Sequence, residues 1–197
     1  MFDNKDGKLI VTDCDGVLFD WEGHFENWMN SRGYIKVPNY DITQYSLHFH
    51  YGIPKKEIIE LIERFNESSA IGFCEPYLDA VEYVPKLKEA GYRFHVITSL
   101  SDNPYSGKAR AINLQHTFGD IFDRLLCLPV GADKDEALKP YKGSRAFWIE
   151  DKLSNAIDGH KIGMKALLMK QDHNDNSMGI PVLHNWKEIY DYIISNT

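Results

Sequence analysis

The sequence predicts an α/β protein, a doubly wound parallel sheet with a small helical cap inserted after its first strand. Three observations predict it. Short apolar runs rich in β-branched residues recur along the chain, and amphipathic helical patterns fill the intervals between them. The first interval is also far longer than the roughly 30 residues that a strand–helix–strand step needs.

Lys8 to Asp13 (KLIVTD) reads as a buried strand that stops at the turn Cys14-Asp15-Gly16. Similar runs follow at Tyr92 to Thr98, Leu125 to Val130, Ala146 to Ile149 and Lys165 to Met169, each too short for a buried helix. Helical patterns lie between them: Leu78, Val81, Val84, Leu87 and Lys88 before Gly91, then Pro104 to Phe118, Lys134 to Leu138 and Leu153 to Lys161. Pro85 would remove an i to i−4 bond, so a kink or a fresh helix start is expected at Val84-Pro85. The surplus before the second strand is the cap, residues 23–73, set into a core formed by 1–22 and 74–197. Within it Phe25, Trp28 and Met29 share one helical face, as do Ile58, Ile62 and Phe65.

A length of 197 residues suits one core plus a modest insertion, and 43% hydrophobic with 26% charged residues is ordinary globular usage. The formal charge of -7 with scattered basic residues argues against a polymeric nucleic acid as partner. Apolar runs such as Ala166 to Met169 fall well short of the roughly 18 residues that span a bilayer, and Asp3, Lys5 and Asp6 spoil a signal-peptide start. Cys14, Cys74 and Cys127 are odd in number and form no CxxC, so a soluble cytoplasmic protein, monomer or homodimer, is expected.

Open parallel sheets bind ligands beyond the carboxyl ends of their strands. The residues predicted there are Asp13-Cys14-Asp15-Gly16-Val17 after the first strand, Thr98-Ser99 after the second and Glu150-Asp151 after the fourth, with Lys134 opening the helix before the fourth. Carboxylates gathered at one rim repel unless a cation intervenes, and hard oxygen ligands with room for water suit Mg²⁺. Taken singly, Asp15 could cap a helix and Thr98 could bond its own backbone. Four polar groups at strand ends together point to chemistry.

This order of Asp-x-Asp-Gly, Thr, Lys and an acidic pair resembles the haloacid dehalogenase-like hydrolase superfamily, over nearly the whole chain apart from the cap. The resemblance implies Asp13 as nucleophile forming an aspartyl-phosphate, Asp15 as general acid and base, Thr98 and Ser99 as phosphoryl-binding residues, and Lys134 as the neutralising lysine. It implies Asp13, Asp151 and the backbone carbonyl of Asp15 as Mg²⁺ ligands, with Glu150 and Asn155 orienting them. Lys139 and Lys142 compete with Lys134 for its role, and Glu150 stands where a second aspartate is more usual. Within the superfamily, DCDGVLFDWEGHF and CEPYLDAVEYVPKLKEAGYRFHVITSLSDNP look similar to the 5'(3')-deoxyribonucleotidases. That likeness implies a Mg²⁺-dependent phosphatase of a small phosphorylated metabolite, with a nucleoside monophosphate or a sugar phosphate as the open alternatives. Dehalogenase chemistry has no use for an acid at Asp15.

Residues 19–51 hold nine aromatics, among which Trp21, four residues after Val17, is the expected platform for a nucleobase; the others can serve simply as the cap's own core. His48-x-His50 reads as a solvated loop rather than a metal site, and Cys14 as packing. Asp172, Asn174 and Asn176 alternate like a calcium loop, but Ser177 replaces the needed glycine and Leu183 the closing glutamate. Two other classes remain to be weighed. A phosphate-accepting receiver domain is about 120 residues without a cap and carries its Asp on the third strand, where Leu125 to Val130 has none. A silent binding protein would not need both Asp13 and Asp15.

Overall fold

The protein is seen in a computed structural model that describes residue 4, residues 7–174 and residues 177–196; Asp3, Lys5, Asp6 and Asn176 lie outside the described residues. Its strands are β1 (Leu9–Thr12), β2 (Arg93–Thr98), β3 (Phe122–Cys127), β4 (Phe147–Glu150), β5 (Lys165–Met169) and β6 (Val182–Leu183). They form one sheet in the order β3-β2-β1-β4-β5-β6, parallel at every pairing. The chain winds outward from β1 to β3, then crosses back to place β4 on the other side of β1. That reversal opens a crevice beyond the carboxyl ends of β1 and β4.

Side chains alternate along each strand. Ile10, Phe94, Val96, Phe147, Ile149 and Leu167 pack on one face, against α4 (Leu78–Glu89), α5 (Pro104–Phe118) and α8 (Trp186–Ser195). Leu9, Val11, Ile97, Trp148, Ala166 and Leu168 pack on the other, against α6 (Asp135–Leu138) and α7 (Leu153–Lys161). Burial on both faces is why the strands read as unbroken apolar runs. Between β1 and α4 come α1 (Trp21–Asn30), α2 (Leu47–Tyr51) and α3 (Lys55–Asn66). Phe25 and Met29 of α1 and Ile58, Leu61 and Phe65 of α3 bury in the same apolar cluster as the α4/α5/α8 face. Helix α1 begins at Trp21, two residues before the expected cap boundary, because the Asp20 carboxylate caps it by accepting the Gly23 N–H at 3.0 Å.

Three local expectations are corrected. The third strand starts at Phe122, not Leu125, and ends at Cys127; as an edge strand it tolerates the charges of Asp123 and Arg124 that interrupt its apolar pattern. Helix α4 runs through Pro85, and its buried face is Ala80, Val84 and Leu87, while Leu78 is 88% exposed. His50 sits buried on α2, not in a solvated loop, with Nε2 at 2.9 Å from the Gln44 carbonyl. Asn174, in the loop after β5, is buried, and its amide donates to the carbonyls of Asp151 and Met169, each at 2.7 Å. Strand β6 and helix α8 were not anticipated; a two-residue strand carries no periodicity to read, whereas α8 buries Trp186, Ile189 and Ile193 at a helical spacing that the sequence does show.

Candidate active site

The site grows from the end of β1. The Asp13 N–H donates to the Ile149 carbonyl at 2.8 Å, keeping the chain in register with β4 as the strand ends. The backbone then folds on itself: Leu18 and Phe19 N–H both reach the Cys14 carbonyl, and Gly16 N–H reaches the Phe19 carbonyl. Gly16 has φ +79°, and a Cβ there would collide with the Asp151 carboxylate. Only glycine permits both the turn and the approach of Asp151.

Asp13, 7% exposed, is held at both oxygens: Oδ1 accepts the Cys14 N–H at 2.7 Å and Oδ2 lies 2.7 Å from Lys134 Nζ. Lys134 is itself 1% exposed and also donates to Glu150 Oε2 at 2.8 Å. Lys139, by contrast, is exposed and pairs with Glu136. The buried lysine comes from the loop after β3, and the Ser99 hydroxyl braces that loop by donating to the Ala132 carbonyl at 2.8 Å. Glu150 is committed elsewhere: Oε1 accepts the N–H groups of Asp151 and Lys152, and Oε2 accepts from Lys134 and, at 3.3 Å, from Asn155.

Oxygens of Asp13, Glu150 and Asp151 all lie within 4.8 Å of one another. Burial, then Glu150, push the Asp13 carboxyl well above the usual carboxylate range, with Lys134 pulling the other way. Burial, Glu150 and Asp13 do the same to Asp151. Glu150, despite its burial, is held below its usual value by Lys134 and its N–H donors. Lys134 supplies one charge against three, so a divalent cation beside Asp13 and Asp151 would relieve the mutual repulsion.

Asp15 points toward α5. Its Oδ1 accepts from Arg110 at 2.5 Å and its Oδ2 from the Thr98 hydroxyl at 3.3 Å. Burial raises the Asp15 carboxyl above its usual value, and Arg110, Lys134 and Thr98 oppose that rise. Arg110 was not singled out from the sequence. It is fully buried and forms, with Ser106 and Asn113, a polar stripe at i, i+4 and i+7 on α5. The spacing of that stripe is written in the sequence of the helix following Thr98, but its burial and its partner Asp15 are not.

Trp21 is partly buried. It stacks on Phe25 with centroids 4.9 Å apart, meets the Phe65 ring edge-on at 5.6 Å, and donates its indole N–H to Asn66 at 2.9 Å. Those contacts are internal to the cap. Another cap aromatic, Tyr45, is 58% exposed, with His173 at 5.0 Å and Lys152 Nζ at 5.5 Å from its ring. Burial, then the negative field of Asp151, Glu150 and Asp13, pushes its phenol up. Among the described residues no helix is long and apolar enough to cross a membrane.

No protein-family model matches the chain. An uncharacterized 32.4 kDa protein from the Gp30-rIII intergenic region of Enterobacteria phage T4 is 29% identical over 140 residues, 68% of this chain and 49% of its own. The chain thus spans about half the length of that curated relative. Among solved structures, the D,D-heptose 1,7-bisphosphate phosphatase from B. bronchiseptica, complexed with magnesium and phosphate, superposes with a TM-score of 0.58 at 11% identity, covering 96% of this chain and 99% of its own. A protein assigned as a haloacid dehalogenase-like hydrolase from Bacteroides fragilis superposes with a TM-score of 0.62 at 14% identity, covering 90% and 97%. The order of strands, the crevice at β1 and β4 and these superpositions agree: the chain has the fold of the haloacid dehalogenase-like hydrolases.

Proposed function

We propose that the chain is a Mg²⁺-dependent phosphomonoesterase that hydrolyses a small phosphorylated metabolite through an aspartyl-phosphate on Asp13. The observation that carries this reading is the Asp13 carboxylate itself, fixed between the Cys14 N–H and Lys134 at the mouth of the crevice and facing Asp151. An Asp13 oxygen attacks phosphorus while the bond from phosphorus to the leaving oxygen breaks, and Asp15 gives that oxygen its proton. Asp15, then ionised, takes a proton from water, whose oxygen attacks phosphorus and releases Asp13 and inorganic phosphate. Lys134 and Thr98 stabilise the charge that spreads over the phosphoryl oxygens.

The donor set fits Mg²⁺, since Asp13 and Asp151 with the Asp15 carbonyl offer hard oxygens and Glu150 is already occupied by Lys134 and two N–H groups. When bound, the ion supplies electrostatic stabilisation to the phosphoryl group. Arg110 favours the ionised form of Asp15, so the residue must leave that contact, or be protonated in it, to act as the acid.

Substrate class is open between two phosphomonoesters. The DCDGV segment and its re-entry sequence support a nucleoside monophosphate. The heptose bisphosphate phosphatase, which shares the fold, supports a sugar phosphate. The formal charge of -7 favours a small molecule over a polymeric nucleic acid, and we place the chain in the cytoplasm, acting as monomer or homodimer. The test is phosphate release from a panel of nucleotides, sugar phosphates and p-nitrophenyl phosphate, with Mg²⁺ and with EDTA. Release that depends on Mg²⁺ supports the reading; no release from any of them sinks it.

A further inference from the structure

The loop after β5 reaches back to both carboxylate-bearing turns of the site. Gln171 Nε2 donates to the Gly16 carbonyl at 2.8 Å, in the turn that follows Asp13 and Asp15. Asn174 Nδ2 donates to the Asp151 carbonyl, in the turn after β4, and to the Met169 carbonyl, where β5 ends, each at 2.7 Å. The two residues are themselves joined, since the Gln171 N–H donates to Asn174 Oδ1 at 3.0 Å. One short loop thus grips main chain that stands 155 positions away in sequence at Gly16 and 23 positions away at Asp151.

The Asn174 amide has one workable orientation. It is 3% exposed, its Nδ2 faces two carbonyls and its Oδ1 faces an N–H, so turning it over would set oxygen against oxygen. A buried amide with its bonds made is rigid, because breaking them costs the desolvation of each group. What it fixes is the place where the site is tightest: Gly16 lies so close to the Asp151 carboxylate that a Cβ there would collide with it. The β1/β4 ladder carries its bonds as far as the Asp13 N–H on the Ile149 carbonyl. Beyond it, Lys134 bridges the carboxylates of Asp13 and Glu150, and the Gln171–Asn174 pair bridges the main chains of Gly16 and Asp151. Asn174 holds Asp151 by its carbonyl, so the carboxylate is left to face Asp13 and Glu150, whose oxygens lie within 4.8 Å of its own. His173, between the two loop residues, brings Nε2 no nearer than 3.9 Å to Asp151 Oδ2.

We propose that Gln171 and Asn174 are positioning residues of the metal site: together they set the separation of the Asp13–Gly16 turn from Asp151, and through it the affinity for Mg²⁺. The assignment rests on the phosphatase reading above. Mg²⁺ demands near-ideal octahedral geometry, so its affinity is sensitive to the spacing of the oxygens offered to it. In this role neither side chain touches the ion or the substrate.

The experiment titrates the metal-free full chain with Mg²⁺ by calorimetry, in wild type, Asn174→Leu and Gln171→Met, and records the metal-free melting temperature of each. Asn174→Leu should raise the Mg²⁺ dissociation constant by about 10- to 100-fold, the usual cost of losing a group that orients a metal ligand. Gln171 is only partly buried, and Gln171→Met should raise the constant by about 2- to 12-fold, the equivalent of one hydrogen bond. A purely structural role would lower the metal-free melting temperature and leave the dissociation constant unmoved. Folded variants that bind Mg²⁺ as tightly as wild type therefore overturn the assignment while leaving the phosphatase standing. If Asn174→Leu does not fold, Gln171→Met decides in the same way, and loss of the fold in Gln171→Met also overturns the assignment by making the loop a structural element. A wild type that binds no Mg²⁺ yet releases phosphate from p-nitrophenyl phosphate overturns the positioning role alone; one that neither binds the ion nor releases phosphate from any phosphomonoester overturns both.

Discussion

Lys134 Nζ lies 2.7 Å from Asp13 Oδ2, and both groups are almost wholly withdrawn from water. A buried ion pair of this kind adds little net stability when intact, yet losing one partner strands the other. The lysine is shared with Glu150, so its loss would strand two carboxylates.

Lys134→Met should therefore destabilise the fold by about 3–5 kcal/mol, measured by urea unfolding without metal. Adding Glu150→Gln in the same chain should recover part of that loss, because one of the stranded charges is then removed. A Lys134→Met protein as stable as wild type would show that the site does not depend on the pair.

Asp15→Asn should slow hydrolysis by about 10² to 10⁴-fold for substrates with poor leaving groups. The loss should be smaller for p-nitrophenyl phosphate, whose leaving oxygen departs without a proton. Equal losses on both would remove Asp15 from the acid role.

Arg110 holds Asp15 from a fully buried position on α5. Arg110→Met should cost about 3–5 kcal/mol of stability by leaving buried Asp15 without its charged partner. In a double-mutant cycle with Asp15→Asn, the two changes should couple by about 0.5–3 kcal/mol. Strict additivity would mean that the contact carries no energy.

Metal and pH should act on stability together. Asp13, Asp15 and Asp151 have native pKa values raised above their unfolded ones, so the native state binds more protons than the unfolded one over the range between ordinary and raised values. Stability without metal should then fall as pH rises through that range, and the melting temperature should increase on acidification from above the raised values toward the ordinary carboxylate range. Glu150 is shifted downward, so its own contribution is present above its unfolded value and is lost only as pH falls through its depressed native one, at the acid end of the range. Mg²⁺ at 100 times its dissociation constant should add about 2.7 kcal/mol and flatten the pH slope, since it favours the ionised carboxylates. A scan by calorimetry with and without Mg²⁺ measures both, and an unchanged melting temperature on adding the ion would contradict the metal site.

Asp13, Asp15, Thr98, Lys134 and the Glu150-Asp151 pair were legible in the sequence because each sits at or near the end of an apolar run, where a local pattern marks the spot. Arg110, Tyr45, Asn174 and His50 were not, for a common reason. Each takes its meaning from a residue far away in sequence: Arg110 from Asp15, Tyr45 and His50 from the loop at His173, Asn174 from Asp151. The sheet was readable because buried strands bounded by turns are a local signal, whereas the face of α4 was misjudged because Pro85 and the exposed Leu78 blur its periodicity. Trp21 shows the same limit, since its distance from the DGV motif gave its position but not the Phe25 and Asn66 contacts that occupy it.

The central claim is that Asp13 becomes phosphorylated during turnover. Acid quenching of the protein in the steady state with Mg²⁺ and its best phosphomonoester, followed by borohydride reduction and peptide mass analysis, tests it most directly. The account predicts homoserine in place of aspartate at position 13, absent when substrate is omitted and absent in Asp13→Asn, which should also release no phosphate above background. Turnover with position 13 unmodified, reduction at another carboxylate, or an Asp13→Asn protein that still releases more than a few per cent of the wild-type phosphate would contradict it.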